Sequence, residues 1–424
     1  MLSTLKNAWK IPDLRSRILY TLMMLVIFRL GSAIPVPGVN INYVRNIVEN
    51  AGLLAMFDMF SGGAFGNMTI FALSITPYIT ASIIMQLLTI AIPSLEEMAK
   101  EGEEGRKKIA QYTRYGTVIL ALIQATGISV GLFRGALISR DPFSIIVVVL
   151  TLTAGTAFLM WLGEQITEKG VGNGISLLIF AGIISRMPDG VYRTFVLTRQ
   201  GEISIITIIL FVVIAIAIVA GVVAIQEGTR KIPVQYAKRV VGRKMYGGQS
   251  SHIPLKVNQS GVIPVIFAMS LLAFPQTIAF FVGETSGFAL FVARWLSPGG
   301  RPGIFIYNIL SALLIIFFTY FYTAVTFNPV EVATNMKKNG GFIPGIRPGK
   351  PTSDYLTKVL NRITLAGAVF LAVIAILPTL FLNLLGMPIA FGGTSILIVV
   401  GVALETMKQV EAQMLMRHYQ GFLK

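Results

Sequence analysis

Few residues of this 424-residue chain could carry out covalent chemistry. Residues Gly127 to Gly131 (GISVG) match the G-x-S-x-G pattern of serine hydrolases, with Ser129 in the position of the nucleophile. That serine lies inside an apolar stretch with no partner His, and the chain has only His252 and His418. A chance match is the favoured interpretation in a chain with 41 Gly. An intramembrane hydrolase remains a hypothesis that rests on Ser129 alone.

Metal-dependent and ion-coupled chemistry also lacks candidate residues. The chain has no Cys for thiolate ligation and little imidazole to offer a metal ion. Pumps and ion-coupled transporters usually hold charged or titratable residues inside the membrane. The segments 59–95, 257–283, 302–330 and 363–404 contain no Asp, Glu, Lys or Arg. The sequence therefore predicts no metal, no cofactor and no catalytic residue.

The composition places these residues in a membrane protein. Hydrophobic residues make up 54% of the chain and charged residues 13%, and the mean hydropathy is +0.74. Soluble globular chains carry about 25% charged residues, so an ordinary cytosolic enzyme and a disordered protein are excluded. The net charge of +16 could suggest nucleic-acid binding, but the basic residues lie in short stretches between long apolar runs. This distribution is typical of a polytopic membrane protein.

Ten apolar segments are candidates for membrane crossing, because one crossing needs roughly 20 apolar helical residues. The fifth is the shortest, opened by Gly170, Gly172 and Gly174 and closed by Pro188. We therefore predict an all-α polytopic membrane protein with ten transmembrane helices. The predicted spans are 18–34, 70–92, 114–133, 143–163, 173–187, 203–225, 259–282, 304–326, 363–385 and 394–411.

The distribution of Lys and Arg predicts the orientation, because cytoplasmic loops retain basic residues. If the N-terminus is inside, 26 of the 35 basic residues fall on the cytoplasmic side and eight on the opposite side. The remaining one, Arg29, lies within the first span. Both termini are thus predicted to be cytoplasmic. Because Arg29 interrupts the apolar run and nine spans follow, we interpret this run as a retained helix, not a signal peptide.

Ten spans divide into two sets of five, and an odd number per half predicts two pseudo-symmetric inverted halves with a path between them. The predicted N-terminal half occupies 1–225, with the sixth span, from about 203, beginning the second half. A basic cytoplasmic loop follows at 226–258. The rest of the second half occupies 259–424 and contains a second basic loop at 327–362.

Two features could line such a path. Residues 58–66 are too short and too rich in Gly to span; they form either an interfacial turn, which the sequence alone favours, or a movable element folded towards the centre. Ile75 and Ile79 share one helix face, as do Ile175 and Ile179. By spacing alone, contact with lipid or neighbouring helices is the favoured interpretation of these side chains.

Eight short strings, in this order along the whole chain, resemble the SecY family of protein-conducting channels. Each string is weak alone, and the ordered set is specific. They are DMFSGG (58–63), ITPYITAS (75–82), GNGIS (172–176), YAKR (236–239), PLKVN (254–258), GVIP (261–264), FIPGIRPG (342–349) and GGTS (392–395).

The resemblance implies an hourglass pore between the two halves, closed by an apolar ring and a plug. Branched apolar side chains can surround a passing polypeptide, while an empty apolar constriction disfavours water and ions. The ring positions transferred from the family are Ile75, Ile79, Ile175, Ile179, Ile266 and Ile398. The plug positions are Asp58, Met59, Phe60, Ser61, Gly62, Gly63, Ala64 and Phe65.

The resemblance also implies a lateral gate that opens towards membrane lipid between spans two and three on one side and seven and eight on the other. Thr80, Gln124 and Asn258 are candidate polar residues at this seam, with ordinary helix contacts as an equal alternative. In the family the basic loops dock on the ribosome or on the SecA motor ATPase. The matching residues are Arg347, Arg243, Lys244, Lys238, Arg239 and Lys350.

The expected function is therefore a passive channel in the bacterial cytoplasmic membrane, without enzymatic activity of its own. It would carry precursor polypeptides that bear signal sequences, driven by SecA, the ribosome or the membrane potential. The family further implies the partner subunits SecE and SecG. The alternative is a secondary transporter of a small solute, against which the charge-free spans count.

Overall fold

The computed structural model describes residues 8–421, apart from 51–53, 55–57, 59–60, 140, 202, 237–238, 242–243, 247–249, 283–285, 297–302 and 386–392. Most described residues are helical. A π-helical turn, Gly127–Leu132, follows α5 directly. The helices are α1 (Pro12–Gly31), α2 (Ile41–Asn50), α3 (Thr76–Ala91), α4 (Pro93–Lys100), α5 (Glu103–Thr126), α6 (Pro142–Lys169), α7 (Gly174–Arg199), α8 (Ile205–Glu227), α9 (Ile263–Val282), α10 (Gly287–Trp295), α11 (Gly303–Thr326), α12 (Pro329–Lys338), α13 (Lys350–Leu385) and α14 (Gly393–Gly421).

Each of the ten predicted spans contains part of one long helix. Among the described residues, six helical segments are long and apolar enough to cross a membrane, or seven if the bent pair α3–α4 counts as one span. These six are α5 with the π turn, α6, α7, α8, α11 with α12, and α13. Several apolar helices therefore support a multi-pass protein, and the count of ten in two inverted halves stays a prediction.

Two predicted span boundaries are wrong. The helix of the second predicted span, α3, begins at Thr76 and not near residue 70. Pro77 suits the first turn of a helix, and Ser74, two residues before the helix, has a positive φ of 54°. The helix of the fifth predicted span, α7, does not end at Pro188 but continues to Arg199. A proline removes one helical hydrogen bond and can be tolerated inside a membrane helix. Ion pairs from Asp189 to Arg186 and Arg193 span this part of α7.

The largest hydrophobic core lies in the middle of the helix bundle. Helices α1, α3, α6, α7, α8, α9, α11, α13 and α14 all contribute buried residues to it. The core thus joins helices from both predicted halves. A second cluster packs α2, the π turn and α6 around Phe65, Met68 and Phe133.

The prediction of an all-α fold missed a small β structure. Strands β1 (Thr229–Tyr236), β4 (Ser250–Lys256) and β5 (Gly341–Phe342) form an antiparallel sheet in the order β4–β1–β5. Strands β2 (Arg239–Val241) and β3 (Lys244–Tyr246) pair separately.

This sheet connects the two segments that were predicted as basic loops. In β1 the side chains of Ile232 and Val234 alternate into a buried cluster with Leu255, Ile343 and Leu356. Because those partners come from β4, from the residues after β5 and from α13, the sequence of β1 alone could not show that its apolar face is covered. The two loops therefore form one folded unit, called the basic platform below (229–256 and 329–362).

Candidate functional site

The six isoleucines that the sequence singled out lie together in the central core. Five of them are buried in one cluster, and the sixth, Ile175, is partly buried and packs against it. They come from four helices that are far apart in sequence. Ile75 immediately precedes α3, and the others are Ile79 of α3, Ile175 and Ile179 of α7, Ile266 of α9 and Ile398 of α14.

A close helix crossing positions the isoleucines of α7. Asn173 caps this helix by accepting a hydrogen bond from the backbone N–H of Ser176 at 3.2 Å. A Cβ on Gly174 would lie 1.9 Å from the carbonyl oxygen of Gly163 in α6. Only glycine permits this approach, which also brings Ile175 against Gly163.

The side chains of the isoleucine cluster are suited to excluding water and ions. Isoleucine side chains offer no charge and no hydrogen bond to replace the hydration shell of an ion, unlike a ring of carboxylates or carbonyl oxygens. A constriction lined by them would disfavour water and ions when empty. The same surface is apolar and without hydrogen-bonding specificity, so it can contact polypeptides of different sequence.

The glycine-rich segment at 58–66 contributes one residue to the same hydrophobic core and another to the second cluster. Ala64 is a member of the same core, while Phe65 packs on Phe133 with the ring centroids 5.6 Å apart. Residues Ser61 to Gly66 form consecutive turns. Met59 and Phe60 lie outside the described residues. Residues 61–66 are all buried, so this described part of the segment is not the exposed interfacial turn that the sequence alone favoured.

Polar contacts that the sequence analysis missed hold this segment. Asp58 forms an ion pair with Arg186 of α7, and Arg29 of α1 donates a hydrogen bond to the carbonyl oxygen of Gly62 at 3.2 Å. The signal for Arg29 was visible in the sequence, since it is a charge within an apolar span. Arg186 carried no such signal, because it lies just before the helix end that the sequence predicted at Pro188.

The three candidate gate residues have different surroundings. Thr80 Oγ1 donates to the carbonyl of Thr76 within α3, and Asn258 Nδ2 donates to the carbonyl of Gly261. Those hydrogen bonds are local to their own segments. Gln124 is buried and lines a cavity of about 20 Å³ together with Thr277 of α9. Helix α9 packs against both α3 and the π turn, so Gln124 is the candidate that lies at this seam.

Arg347 is exposed in a turn of the basic platform. Gly345 and Gly349 on either side have positive φ angles of 81° and 105°. The hydroxyl of Thr352 donates to the Arg347 carbonyl at 2.9 Å, and the buried side chain of Ile343 anchors the turn. The structure thus presents the guanidinium of Arg347 from a fixed backbone.

The other platform candidates lie in three further elements or outside the described residues. Arg239 lies in β2, Lys244 in β3 and Lys350 at the start of α13. Lys238 and Arg243 lie outside the described residues.

The structure does not support the hydrolase hypothesis. Ser129 lies in the π turn, and its buried Oγ has no hydrogen-bond partner among the described residues. A nucleophilic serine needs a base within hydrogen-bond reach. Nor does the described part of the chain hold a group of three or more His, Cys, Asp or Glu side chains that could bind a metal ion.

A helical membrane protein in which helices far apart in sequence share one uncharged apolar core fits the class of channels. Its fold is that of a solved structure described as "The structure of a protein conducting channel", with a TM-score of 0.69, 22% identity and 96% of each chain covered. A second match is Sec61 in the canine ribosome–channel complex, with a TM-score of 0.64, 20% identity and 96% of each chain covered.

Sequence comparison then defines the family. The SecY family model matches residues 69–407, and the protein translocase subunit SecY of Halalkalibacterium halodurans is 52% identical over the full length of both chains. SecY of Streptomyces scabiei is 50% identical, again over the full length of both. This chain therefore belongs to the SecY family.

Proposed function

We propose that this chain is the channel subunit of a bacterial protein translocase, which conducts unfolded polypeptides across the membrane and has no enzymatic activity of its own. The observation that carries the proposal is the set of isoleucines from α3, α7, α9, α14 and Ile75, which lie in one apolar core that also contains Ala64 of the segment at 58–66. The segments 59–95, 257–283, 302–330 and 363–404 hold no charged residue that could couple an ion to transport of a solute, so that alternative is not favoured.

In this proposal the six isoleucines form a ring around the polypeptide and seal against ions when the channel is at rest. The segment Asp58 to Phe65 is the plug, which leaves the cluster when a polypeptide enters. Burial of Ile75, Ile79 and Ile266 in one core with Ala64 supports this arrangement. Rigid side chains at the ring suit a seal whose shape must recover after each passage.

The lateral gate is proposed at the contact of α9 with α3 and the π turn. Gln124 and Thr277 face one small cavity there, and separation of these helices would open a path from the core to lipid. Weak polar contacts suit a seam that must part. Thr80 would act through the first turns of α3, and Asn258 through the turn that precedes α9.

The basic platform is proposed as the docking surface for the ribosome and for SecA. Its exposed cations include Arg347 and Lys350, together with Arg230, Lys231, Lys337 and Lys338. Basic side chains are attracted by the phosphates of ribosomal RNA, and a guanidinium can pair with a carboxylate on a protein motor through two hydrogen bonds. Arg347 is the residue on which we expect motor coupling to depend most.

An apolar groove is proposed as the SecE site. The groove has a volume of about 500 Å³ and is lined by α7, α8 and α14. It runs between a helix of the first predicted half and two of the second, so an apolar helix seated there would brace both halves. Its lining includes Ile184, Met187, Phe211 and Val399. SecG is expected to bind peripherally.

The platform side of the molecule is proposed to face the cytoplasm, with both termini on that side. The excess of basic residues in the corresponding segments supports this orientation. The chain is accordingly placed in the cytoplasmic membrane, where the ribosome and SecA reach the platform and signal-bearing precursors arrive from within.

Protease protection of a precursor tests this function. Proteoliposomes that contain the chain and SecE would receive a signal-bearing precursor, SecA and ATP. We expect wild type to protect the precursor and Arg347→Glu to lose most of that protection, because the charge reversal repels an acidic motor surface. Lys108→Glu makes the same charge change at an exposed residue outside the platform and should retain protection. No protection by wild type, with SecA bound normally, would contradict the proposed function.

A further inference from the structure

We infer that Asp58, Arg186 and Arg29 form an electrostatic lock that holds the plug in its resting position. The inference rests on the proposed function, because it assigns regulation to the same seal. It makes Arg186 and Arg29 positioning residues for the plug.

The carboxylate of Asp58 connects the plug to itself and to α7. Its side chain is only 9% exposed, and one oxygen pairs with Arg186 Nη2. The other oxygen accepts a hydrogen bond from the backbone N–H of Gly66 at 2.6 Å. The backbone carbonyl of Asp58 accepts from Gly63 N–H at 2.8 Å and from the Ser61 hydroxyl at 3.0 Å. Asp58 therefore folds the segment and ties the folded segment to a long helix.

A second attachment lies at Gly62. Its carbonyl oxygen accepts from Arg29 Nη1 at 3.2 Å and lies 3.5 Å from the Ser185 hydroxyl. Gly62 has a φ of +66°, and a Cβ there would lie 2.9 Å from the Cα of Gly182 in α7. The plug backbone thus meets the helix backbone directly, which aligns the carbonyl with Arg29.

The charges around the plug favour its return to the resting position. Asp58 is the only acidic residue between 58 and 66, whereas Arg29 and Arg186 both face the segment. Arg186 is also 3.8 Å from Asp189, whose carboxylate pairs with Arg193 at 3.2 Å. Departure of the plug removes the Asp58 carboxylate and leaves an excess of positive charge on the walls that it left. That excess attracts the plug back, while an ion pair this well buried must be broken before the plug leaves.

The test measures plug departure directly. The natural chain has no Cys, so Ala64→Cys places a single thiol in the buried plug. The full chain, reconstituted with SecE, would be treated with a membrane-impermeant maleimide, and the rate of modification would be compared among variants. The variants are Asp58→Asn, Arg186→Gln and their combination. Arg186→Lys restores the charge, and Arg199→Gln removes a charge of the same kind at the exposed end of α7.

We expect each single substitution to raise the modification rate about tenfold, because Arg186→Gln leaves the buried Asp58 carboxylate without its ionic partner and Asp58→Asn removes the charge that holds the plug to Arg186. The double variant should be no faster than the singles, since both remove one interaction. Arg186→Lys should restore most of the wild-type rate, and Arg199→Gln should leave it unchanged.

Wild-type modification rates in both single variants would overturn the lock, as would effects that simply multiply in the double variant. If Arg186→Gln does not yield a folded complex, Asp58→Asn and Arg186→Lys still decide the question. Precursor translocation is measured in the same vesicles. Failure of wild type to translocate contradicts the proposed function, whereas translocation with unaltered modification rates contradicts the lock alone.

Discussion

Single residues carry two separate tasks in this channel. In the proposed channel, the core isoleucines would exclude ions because their side chains offer no charge or hydrogen bond to replace an ion's hydration shell. Arginines at Arg29 and Arg186 instead satisfy a carbonyl and a carboxylate of the plug. A charge inside a membrane span is costly unless it has such a partner, so Arg29 has a structural reason for interrupting the first apolar run. The isoleucine ring and the electrostatic lock thus use different side chains and can be altered separately.

Shortening the ring side chains should open the resting seal to ions. In a variant with Ile79→Gly, Ile266→Gly and Ile398→Gly, we expect a several-fold rise in the conductance of planar bilayers containing the chain and SecE, because the constriction becomes wide enough for water. The control replaces Ile209, Ile216 and Ile309, which are at least half exposed on the outside of α8 and α11. It introduces the same number of helical glycines. Equal conductance in both variants would contradict the role of the ring.

At the scale of elements, the start of α7 is placed by two glycines. Gly163 and Gly174 allow α6 and α7 to cross with backbone contact, and the Asn173 cap fixes where α7 begins. This crossing sets the position of both Ile175 and Ile179 relative to the other helices. The geometry of the seal therefore depends on residues that are not part of it.

A methyl group at this crossing should destabilise the protein. For Gly174→Ala we expect the free energy of unfolding to fall by about 2 kcal/mol, within the range for overpacked cores, because the new Cβ would meet the Gly163 carbonyl. Thermal unfolding of the purified complex would measure it. Gly287→Ala, at the start of α10 with nothing within 4 Å of the new Cβ, is the matched control. If the thermal unfolding midpoint of Gly174→Ala equals that of Gly287→Ala, the close contact between α6 and α7 does not contribute to stability as we expect.

Elements also show what the sequence could and could not predict. Apolar runs predicted where most long helices lie, and the family strings selected isoleucines that the structure brings into one core. The continuation of α7 past Pro188 was missed, because a proline is tolerated when neighbouring contacts continue the helix. The sheet β4–β1–β5 was missed, because the residues that cover Ile232 and Val234 come from distant segments. Partners of Asp58 were invisible for the same reason.

The whole molecule combines the central isoleucine cluster, the electrostatic lock proposed for the plug, and the basic platform. Helices from both predicted halves share one core, so movement of the halves changes the ring, the α9 seam and the plug contact together. The platform joins both basic segments through one sheet, so a motor or a ribosome bound there can act on α13 and on β1 at once. This connection offers a direct mechanical route from docking to opening.

The central claim is that a polypeptide passes through the isoleucine cluster, and one cross-linking measurement tests it most directly. Because the natural chain lacks Cys, Ile79→Cys provides a single thiol in the cluster and Ile216→Cys, 63% exposed on α8, provides one on the outer surface. A precursor with one Cys, arrested during translocation by a folded C-terminal domain, would be oxidised in place. We predict a disulfide to Ile79→Cys that requires SecA and ATP, and none to Ile216→Cys. A protease-protected precursor that links to Ile216→Cys, or to neither position, would contradict the account.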